Sequence, residues 1–480
     1  MSARPLWTVD AMAAAMAARQ SGAVPASITG ISIDTRTIAP GEAFFAITGE
    51  NRDGHDFVAA ALQAGAGLAV VSAARFGDTP ASAPLLVVDD VLDGLRDLAK
   101  AARARSQARI VAVTGSVGKT GTKDALRLVL ERQGETHASA ASYNNHWGVP
   151  LSLARCPETA EFAVLEMGMN HAGEIEPLSR LVRPHVAIVT AVEPVHLEFF
   201  DSVDAIADAK AEIFSGVAPR GAAVINRDNA HFERLRCAAQ ASGIAHIVSF
   251  GEHAEADARL DKIALHADCS TVAASILGVE VTYKVGAPGR HIVQNSLAVL
   301  AATSLLGADL ALAALALADL QPPAGRGARQ TLTVPGGTAL LIDESYNANP
   351  ASMRAALALL GHVPMGPRGR RIAVLGDMLE LGPRGRDLHH ALVEPVLAHG
   401  IELVFCSGPL MRALWEALPP ERRGGYAETA AAIEPAVVAE IHAGDAVMVK
   451  GSLGSKMGPI VTALARKYSS QWPATATAQG

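Results

Sequence analysis

The stretch ARIVAVTGSVGKTGTKDAL, residues 108–126, places an apolar run directly before a glycine-bearing turn, a Lys-Thr pair and the start of a helix. A strand that enters a helix through such a turn presents backbone N–H groups to a phosphate. Gly115 and Gly118 allow phosphate oxygens to approach, Lys119 supplies a positive charge and Thr120 offers a hydroxyl to Mg²⁺. We therefore predict a nucleotide phosphate site made by Thr114, Gly115, Ser116, Val117, Gly118, Lys119 and Thr120.

This turn is a shortened variant of the P-loop pattern, because the position six before Lys119 is Val113 rather than glycine. The alternative interpretation is an ordinary strand-to-helix turn with a surface lysine. The preceding strand, the following helix and the GKT triplet together favour nucleotide binding.

Length and composition indicate a globular protein of several domains. The 480 residues suffice for roughly three cores. Half of the residues are hydrophobic and 19% are charged, which excludes a disordered or fibrous chain. The net charge of -7 provides no basic footprint, so we expect no nucleic-acid partner.

The N-terminal stretch MSARPLWTVDAMAAAMAARQ is apolar only between Asp10 and Arg19. That run is too short to span a bilayer and lacks a secretory cleavage pattern, so we expect a capped helix and no direct membrane insertion. The four cysteines lie far apart with no CxxC spacing, which predicts neither a zinc site nor a disulfide framework. A reducing, cytoplasmic location fits this pattern.

Alternating apolar segments divide the chain into three α/β regions. Residues 1–107 contain AFFAITG and LAVVSA around a helical run, which predicts a small α/β domain. Residues 108–323 alternate continuous apolar strands with helices, as in a parallel sheet covered on both faces, and residues 257–285 predict an antiparallel edge. After the linker QPPAGRGAR, residues 324–480 follow the order of a Rossmann-like, doubly wound domain.

Three residues near strand ends of the central region are candidates for metal chemistry. Glu166 ends a strand beside the phosphate turn, and ligands bind at the carboxyl edge of such sheets, so a metal role is favoured over a loop contact. His196 also follows a strand end. Because imidazole is a less usual Mg²⁺ ligand than oxygen, a metal role and a loop contact are equally supported for it. Lys210, in AIADAKAEIFSG, has on its spacing alone the pattern of a solvated helical lysine.

Several stretches together resemble the Mur ligases, the ATP-dependent amide-forming enzymes of peptidoglycan precursor synthesis. The resemblance covers nearly the whole chain. It rests on TGSVGKT, NNHWGVP (144–150), EMGMNHAGEI (166–175) and AKAEIF (209–214). DESYNANP (343–350) and GDMLELG (376–382) are similar to the branch that adds D-alanyl-D-alanine, and the DNPR segment of a sister branch is absent from the sequence.

The resemblance implies an ATP site with two Mg²⁺ ions. Lys119 and Thr120 would serve the triphosphate and the first ion, Glu166 would bind that ion and His196 would help to hold the second. Lys210 matches a lysine that the family carbamylates, which implies a carboxylate-like group facing the metals. Asn295 matches the second asparagine of a family motif on the adenine side, while Ile292 replaces the first.

The resemblance also implies substrate sites in all three regions. SIDTRTIAPGEAFFAITGENRDGHDF (32–57) resembles a UDP-recognising domain with Thr35 and Arg36 in its motif, although a plain surface turn is an equal alternative for either residue. Further candidates for substrate binding are Asn144, Asn145, Asp343, Tyr346, Asn347, Asn349 and Lys450.

The third region leaves two interpretations open for its polar cluster. On residue types alone, Asp343, Tyr346, Asn347 and Asn349 form a turn held by Asn side chains; with the resemblance, they line the dipeptide pocket or the ATP ribose site. Arg326, in the linker, either reaches the γ-phosphate as the third region moves or is an ordinary linker charge.

The implied reaction joins D-alanyl-D-alanine to UDP-N-acetylmuramoyl-tripeptide through an acyl phosphate, with ATP as phosphoryl donor. One alternative is another amino-acid-adding ligase of the family. A second is a P-loop kinase or a nucleotide-binding module, and the third α/β region argues against both because neither needs it.

Overall fold

The structure, a computed structural model, describes residues 4–49, 52–80, 82–140, 142–194, 198–266, 268–322 and 325–468. Its strands form one two-stranded sheet and larger sheets of five, nine and six strands. The five-, nine- and six-stranded sheets follow one another along the chain and each carries helices. The predicted class, three successive α/β regions, is therefore confirmed.

The N-terminal region is built on the five-stranded sheet. Its strands are β1 (Trp7–Thr8), β2 (Arg19–Ser21), β3 (Ser27–Ile28), β4 (Ile31–Ser32), β5 (Ala43–Phe45), β6 (Leu68–Ser72) and β7 (Leu85–Val88). Its helices are α1 (Val9–Ala15), α2 (Val58–Gln63) and α3 (Val91–Arg105). The sheet order is β2-β7-β6-β5-β4, and β1 pairs separately with β3. Thr8 caps α1 through its side chain, as expected for the first helix.

The central region is built on the nine-stranded sheet. Its strands are β8 (Arg109–Thr114), β9 (Thr136–Ala138), β10 (Phe162–Glu166), β11 (Val186–Val189), β12 (Ala222–Asn226), β13 (His246–Gly251), β14 (Ala258–Leu265), β15 (Ser270–Ile276) and β16 (Val279–Val285). Its helices are α4 (Lys119–Glu131), α5 (Gly148–Ala154), α6 (Ile175–Val182), α7 (Val203–Ala211), α8 (Phe232–Ala241), α9 (Arg290–Leu305) and α10 (Leu310–Ala316).

Strand β8 lies inside this sheet, whose order is β16-β15-β14-β13-β12-β11-β8-β10-β9. Ile110 and Ala112 pack into the core on one face, and Val111 and Val113 into the core on the other. This explains why the segment is continuously apolar. Strands β15 and β16 pair antiparallel to their neighbours, so the predicted antiparallel edge is confirmed.

The C-terminal region is built on the six-stranded sheet, ordered β17-β18-β22-β19-β20-β21. Its strands are β17 (Ala328–Val334), β18 (Gly337–Glu344), β19 (Arg371–Gly376), β20 (Leu403–Ser407), β21 (Arg423–Ala427) and β22 (Ala446–Lys450). Its helices are α11 (Pro350–Gly361), α12 (Gly385–His390), α13 (Val393–Ala398), α14 (Arg412–Ala417), α15 (Ala430–Glu440) and α16 (Gly458–Tyr468). Only β17 runs antiparallel to its partner.

The sequence LHHALVEPVLAHG reads as one helix, and that expectation is wrong, because α12 ends at His390 and α13 begins at Val393. Pro395 explains the break. In a continuous helix its ring would clash with the carbonyl of Ala391, whereas the first turn of a new helix tolerates proline.

The predicted region boundaries follow residues 107 and 323. The first falls between α3 and β8, and the second lies outside the described residues. Both stay predictions. In the described part of the chain, no helix is long and apolar enough to cross a bilayer.

Candidate functional site

The turn between β8 and α4 has a backbone that only glycine adopts comfortably. Gly115 has φ +148, and a Cβ there would lie 2.0 Å from Thr190 Oγ1. Gly118, with φ +84, would bring a Cβ within 2.6 Å of Asn295 Nδ2. The two glycines therefore satisfy both the turn and the close approach of its neighbours.

Thr190, which follows β11, holds this turn from the neighbouring strand. Its hydroxyl lies 2.6 Å from the Val117 carbonyl and 3.2 Å from the Thr114 carbonyl, and its N–H also donates to Thr114. Ser116 adds a second attachment, because its N–H donates to the Ala191 carbonyl at 2.8 Å. The phosphate turn is thus fixed by the chain that leaves β11, a contribution that sequence reasoning missed.

Lys119 is the first residue of α4, and its side chain folds back over the turn. Its ammonium donates to the Gly115 carbonyl at 2.6 Å. Burial lowers the pKa of Lys119, the nearby Glu166 opposes this shift, and Arg326 adds to it. Two cationic side chains, Lys119 and Arg326, therefore lie close together at this turn, which favours an anionic ligand.

A buried carboxylate lies beside the phosphate turn. Glu166, at the end of β10, is 1% exposed. Its Oε2 accepts a hydrogen bond from the Thr120 hydroxyl at 3.0 Å, and its Oε1 accepts one from the Asn144 side-chain amide at 2.8 Å. Thr120 and Glu166 meet because β10 is the parallel neighbour of β8.

These donors fit Mg²⁺ better than a metal that protein side chains enclose. No cluster of three or more His, Cys, Asp or Glu residues suited to a metal occurs in the described part of the chain. One carboxylate and one hydroxyl beside a phosphate turn match Mg²⁺, which usually keeps several waters and is shared with substrate phosphates. His196, the predicted ligand of a second ion, lies outside the described residues.

Lys210 lies in α7 and is 2% exposed, so the expectation of a solvated helical lysine is wrong. Burial lowers the pKa of Lys210 well below its usual value, and the ammonium of Lys119 lowers it further. Desolvation of this kind favours the neutral amine, which is the nucleophilic form of a lysine.

The phosphate turn opens into a cavity of about 670 Å³ between the central and C-terminal regions. This volume is in the range of roughly 300–1,000 Å³ that small-molecule sites occupy. The predicted residues that line the cavity are Ser116, Val117, Gly118, Lys119, Thr120, Asn144, Glu166, Asn295, Arg326, Tyr346, Asn347, Asn349 and Lys450.

The linker and the turn after β18 form the opposite side of this cavity. The Arg326 guanidinium stacks on the Tyr346 ring, 4.4 Å from its centroid. The Tyr346 hydroxyl donates to Ser142 Oγ at 2.9 Å, which joins the C-terminal region to the central one. Arg326 is therefore held at the cavity. This geometry favours a residue that acts on a ligand there over an ordinary linker charge.

Strand β22 adds a buried lysine to the same side. Lys450 is 2% exposed, and its ammonium lies 3.0 Å from both Glu344 Oε2 and the Asn347 carbonyl. Asn349 caps α11 by accepting a hydrogen bond from the N–H of Ser352 at 2.9 Å. The turn is therefore held in part by an Asn side chain, as residue types alone predicted. It also lies at the cavity, as the resemblance to a substrate site predicted.

Some predicted residues do not line the cavity. Asp343 accepts hydrogen bonds from the backbone N–H groups of Gly325 and Ser345, so it anchors the linker. Asn145 accepts from the Gly148 N–H at the start of α5. Arg36 is an exposed side chain paired with Asp34. The other predicted residues that do not line the cavity are Thr35, Thr114, Gly115 and Lys210.

Several cavity residues were missed at the sequence level. Asn226 ends β12, Asp228 and Asn229 follow that strand, and Glu344 ends β18. The rule that selected Glu166, polar side chains at the carboxyl ends of parallel strands, also applies to AVINRDN and DESYNANP and would have identified them. His291 and Gln294 of α9 carry no such signal.

Comparison with known proteins places the chain in a family. Three family descriptions match: "Mur ligase family, catalytic domain" over residues 27–103, "Mur ligase middle domain" over 113–303 and "Mur ligase, glutamate ligase domain" over 330–453. Together these matches extend over all three regions of the fold.

Individual relatives match along most of their length. The UDP-N-acetylmuramoyl-tripeptide--D-alanyl-D-alanine ligase of Rickettsia prowazekii is 30% identical, covering 95% of this chain and 99% of its own. The enzyme of the same name from Escherichia coli is 34% identical, over 91% and 94%. A crystal structure of MurF from Acinetobacter baumannii superimposes with a TM-score of 0.81 at 29% identity, covering 97% and 100%. The chain belongs to the Mur ligase family.

Proposed function

We propose that this chain joins D-alanyl-D-alanine to UDP-N-acetylmuramoyl-tripeptide at the expense of ATP, in peptidoglycan precursor synthesis. One observation carries the proposal: the phosphate turn and its buried carboxylate lie on one side of the 670 Å³ cavity, and the strand-end loops of the C-terminal region lie on the other. A ligase needs this arrangement, because the activated acid and the incoming amine must meet in one site. The names of the full-length relatives supply the substrates.

Each region has a proposed substrate. Residues 1–107 recognise the UDP end through Thr35 and Arg36, which lie away from the cavity as expected for the far end of a long substrate. Residues 108–323 bind ATP, and residues 324–480 bind the dipeptide. ATP and the four unpaired cysteines fit a cytoplasmic reaction.

The chemistry begins with a carboxylate that is a poor acyl donor until its oxygen becomes a leaving group. The terminal carboxylate of the tripeptide attacks the γ-phosphorus of ATP, ADP departs, and an acyl phosphate forms. Lys119 and Arg326 lie close together at the turn and stabilise charge on the transferred phosphoryl oxygens. Ser116, Val117 and Gly118 position the phosphates through the backbone, and Asn295 contacts the nucleotide from α9.

The residues that would hold Mg²⁺ are Thr120 and Glu166, with His196 for a second ion. When bound, the ion draws negative charge from the phosphate oxygens. Asn144 orients the carboxylate by donating to Oε1, while Oε2 accepts the hydrogen bond of the Thr120 hydroxyl, and both Thr120 and Glu166 line the cavity. Asn145, the next residue, stabilises the start of α5 by accepting a hydrogen bond from the Gly148 N–H.

Lys210 is the proposed site of carbamylation. Its neutral amine attacks the carbon of CO₂, one C–N bond forms, and one proton leaves to solvent, which gives an anionic carbamate. Burial beside Lys119 supports this step, because it favours the neutral amine before reaction and provides a cation for the carbamate after it.

The dipeptide is proposed to bind at the C-terminal edge of the six-stranded sheet. Its amine attacks the acyl carbonyl, and phosphate departs. Asn347, Asn349 and Lys450 offer an amide, a helix start and a cation for a peptide carboxylate. Asp343 acts from behind this surface by holding the linker, and Tyr346 by contacting Arg326.

The test is an acceptor screen. The protein is incubated with ATP, Mg²⁺ and UDP-N-acetylmuramoyl-tripeptide, with D-alanyl-D-alanine or with single amino acids, and phosphate release is measured while the nucleotide product is weighed by mass spectrometry. Dipeptide-dependent phosphate and a product heavier by the dipeptide less one water are expected. Phosphate that depends on a single amino acid would support a different acceptor. A phosphorylated product without free phosphate would support a kinase, and ATP binding without turnover a binding module.

A further inference from the structure

Lys123 is a buried cation that the proposed chemistry does not use. It lies one helical turn after Thr120 in α4 and is 3% exposed. Its ammonium donates to the Ser139 carbonyl at 3.1 Å and lies 3.3 Å from Asp124 Oδ1. Asp124 lines the cavity, whereas Lys123 is not among the cavity residues. A buried ammonium is costly unless it is paired and hydrogen-bonded, so these contacts fix its place.

Lys123 contacts the start of a segment that is hydrogen-bonded to Glu166 at two points, Ser139 and Asn144. At the start of the segment, the Ser139 hydroxyl accepts a hydrogen bond from the Glu166 backbone N–H at 3.3 Å. At its other end, the Asn144 amide donates to Glu166 Oε1 at 2.8 Å. The segment 139–144 follows the short strand β9 and contains no helix or strand of its own in its described residues, so it depends on such attachments for its position.

We propose that Lys123 is a positioning residue for the metal site. By fixing the Ser139 carbonyl it holds the segment 139–144, and through Ser139 and Asn144 it sets the direction in which the Glu166 carboxylate faces Thr120. The inference rests on the proposed function in one respect, that Glu166 binds the cation that accompanies the nucleotide. Contacts behind a metal ligand commonly affect metal affinity by about 10–100-fold when they are removed.

The experiment measures Mn²⁺ binding to the full chain in the presence of ADP, by electron paramagnetic resonance of free Mn²⁺. Lys123→Met keeps the apolar stem and removes the charge and the donors, so it is expected to weaken Mn²⁺ binding by about tenfold. Lys123→Arg keeps a cation that can donate to Ser139 and is expected to recover most of the affinity. Lys100→Met is the matched control, because its side chain is 67% exposed on α3; it is expected to bind Mn²⁺ like the wild type.

Steady-state kinetics provide a second readout that loss of structure alone would not produce. In Lys123→Met, the Mg²⁺ concentration for half-maximal rate is expected to rise, while the KM for UDP-N-acetylmuramoyl-tripeptide stays unchanged. Excess Mg²⁺ is expected to restore much of kcat.

Equal Mn²⁺ affinity in folded Lys123→Met and wild type would overturn the inference and leave the proposed function intact. A lower melting temperature with unchanged Mn²⁺ affinity would also overturn it, since Lys123 would then only support the fold. If Lys123→Met does not fold, Lys123→Gln decides by the same measurement, because its side chain is shorter and carries no charge: weaker Mn²⁺ binding than in the wild type is expected, and an unchanged Mn²⁺ affinity would overturn the inference. Failure of the wild type to bind Mn²⁺ with ADP would instead refute the metal role of Glu166, and with it the basis of the inference.

Discussion

The Tyr346 hydroxyl donates a hydrogen bond to Ser142 Oγ at 2.9 Å, although the two residues are 204 positions apart in the chain. Tyr346 belongs to the turn that also stacks on Arg326, and Ser142 belongs to the segment that carries Asn144 to Glu166. One hydrogen bond therefore connects the linker cation with the surroundings of the buried carboxylate, across two regions of the fold.

This contact predicts energetic coupling between the two hydroxyls. Tyr346→Phe and Ser142→Ala each remove the bond, so the double variant is expected to lose no more than the single ones. A net hydrogen bond of about 1 kcal/mol corresponds to a roughly fivefold fall in kcat/KM in each variant. The measurement is a double-mutant cycle on dipeptide-dependent phosphate release. Additive losses would show that the contact has no role in the reacting enzyme.

Arg326 is expected to act on the terminal phosphate of ATP. Arg326→Met removes a cation beside Lys119, and a lost charge-assisted hydrogen bond of about 1.5–3 kcal/mol predicts a loss of ATP affinity of about tenfold or more. ADP lacks the γ-phosphate, so its affinity is expected to stay unchanged. Calorimetric titration of each nucleotide checks this, with the exposed Arg354 of α11 replaced by Met as control. An equal loss for ATP and ADP would exclude a specific contact with the γ-phosphate.

Gly115→Ala is expected to disrupt the phosphate turn. The new Cβ would meet Thr190 Oγ1 at 2.0 Å, and that hydroxyl cannot retreat without losing its bonds to Thr114 and Val117. Strain of about 1–3 kcal/mol follows from such a backbone conformation, and ATP affinity should fall by about tenfold or more. Gly77→Ala is the matched control, since a Cβ there meets nothing within 4 Å. Normal ATP binding by Gly115→Ala would show that the turn relaxes and that its geometry is not required.

Lys210→Met separates stability from activity. Because burial lowers the pKa of Lys210, the unfolded chain binds its proton more readily than the folded chain, and this group destabilises the fold below the unfolded pKa of about 10.4. In CO₂-depleted buffer the variant should therefore unfold at a higher temperature than the wild type, by a gain on the order of 1 kcal/mol at neutral pH that fades as the pH approaches about 10.4.

The same variant should lose dipeptide-dependent activity, and bicarbonate should stimulate the wild type alone. Thermal melts over a pH series and rates with and without bicarbonate provide the measurement, with the exposed Lys262→Met as control. A less stable but fully active variant would contradict the proposed role of Lys210.

The features of this molecule that the sequence predicted correctly are those that depend on consecutive residues. The family, the ligase class and the three-part α/β fold are confirmed, because an apolar run such as that of β8 and a GKT turn are local patterns with few structural solutions. The contact between Thr190 and the turn, and the one between Tyr346 and Ser142, join distant segments. No spacing rule specifies such pairs, since they depend on strand order and on how two regions meet.

Lys210 shows that a local pattern can also give a wrong prediction when distant segments decide the outcome. Its helical spacing predicted solvent exposure, whereas the side chain is buried, and α7, which carries it, packs against α8. Burial of a helix face is a property of the assembled layers, not of the helix alone. The roles of the individual site residues stay predictions that the variants above test.

The most direct test of the central claim follows an oxygen atom. UDP-N-acetylmuramoyl-tripeptide with a heavy isotope at both oxygens of its terminal carboxylate is incubated with ATP, Mg²⁺ and D-alanyl-D-alanine, and the released phosphate is analysed by mass. Attack of the carboxylate on the γ-phosphorus predicts one heavy oxygen in the phosphate for each amide bond formed. Unlabelled phosphate alongside an amide product would contradict activation through an acyl phosphate, and labelled phosphate without the dipeptide adduct would contradict the assigned acceptor.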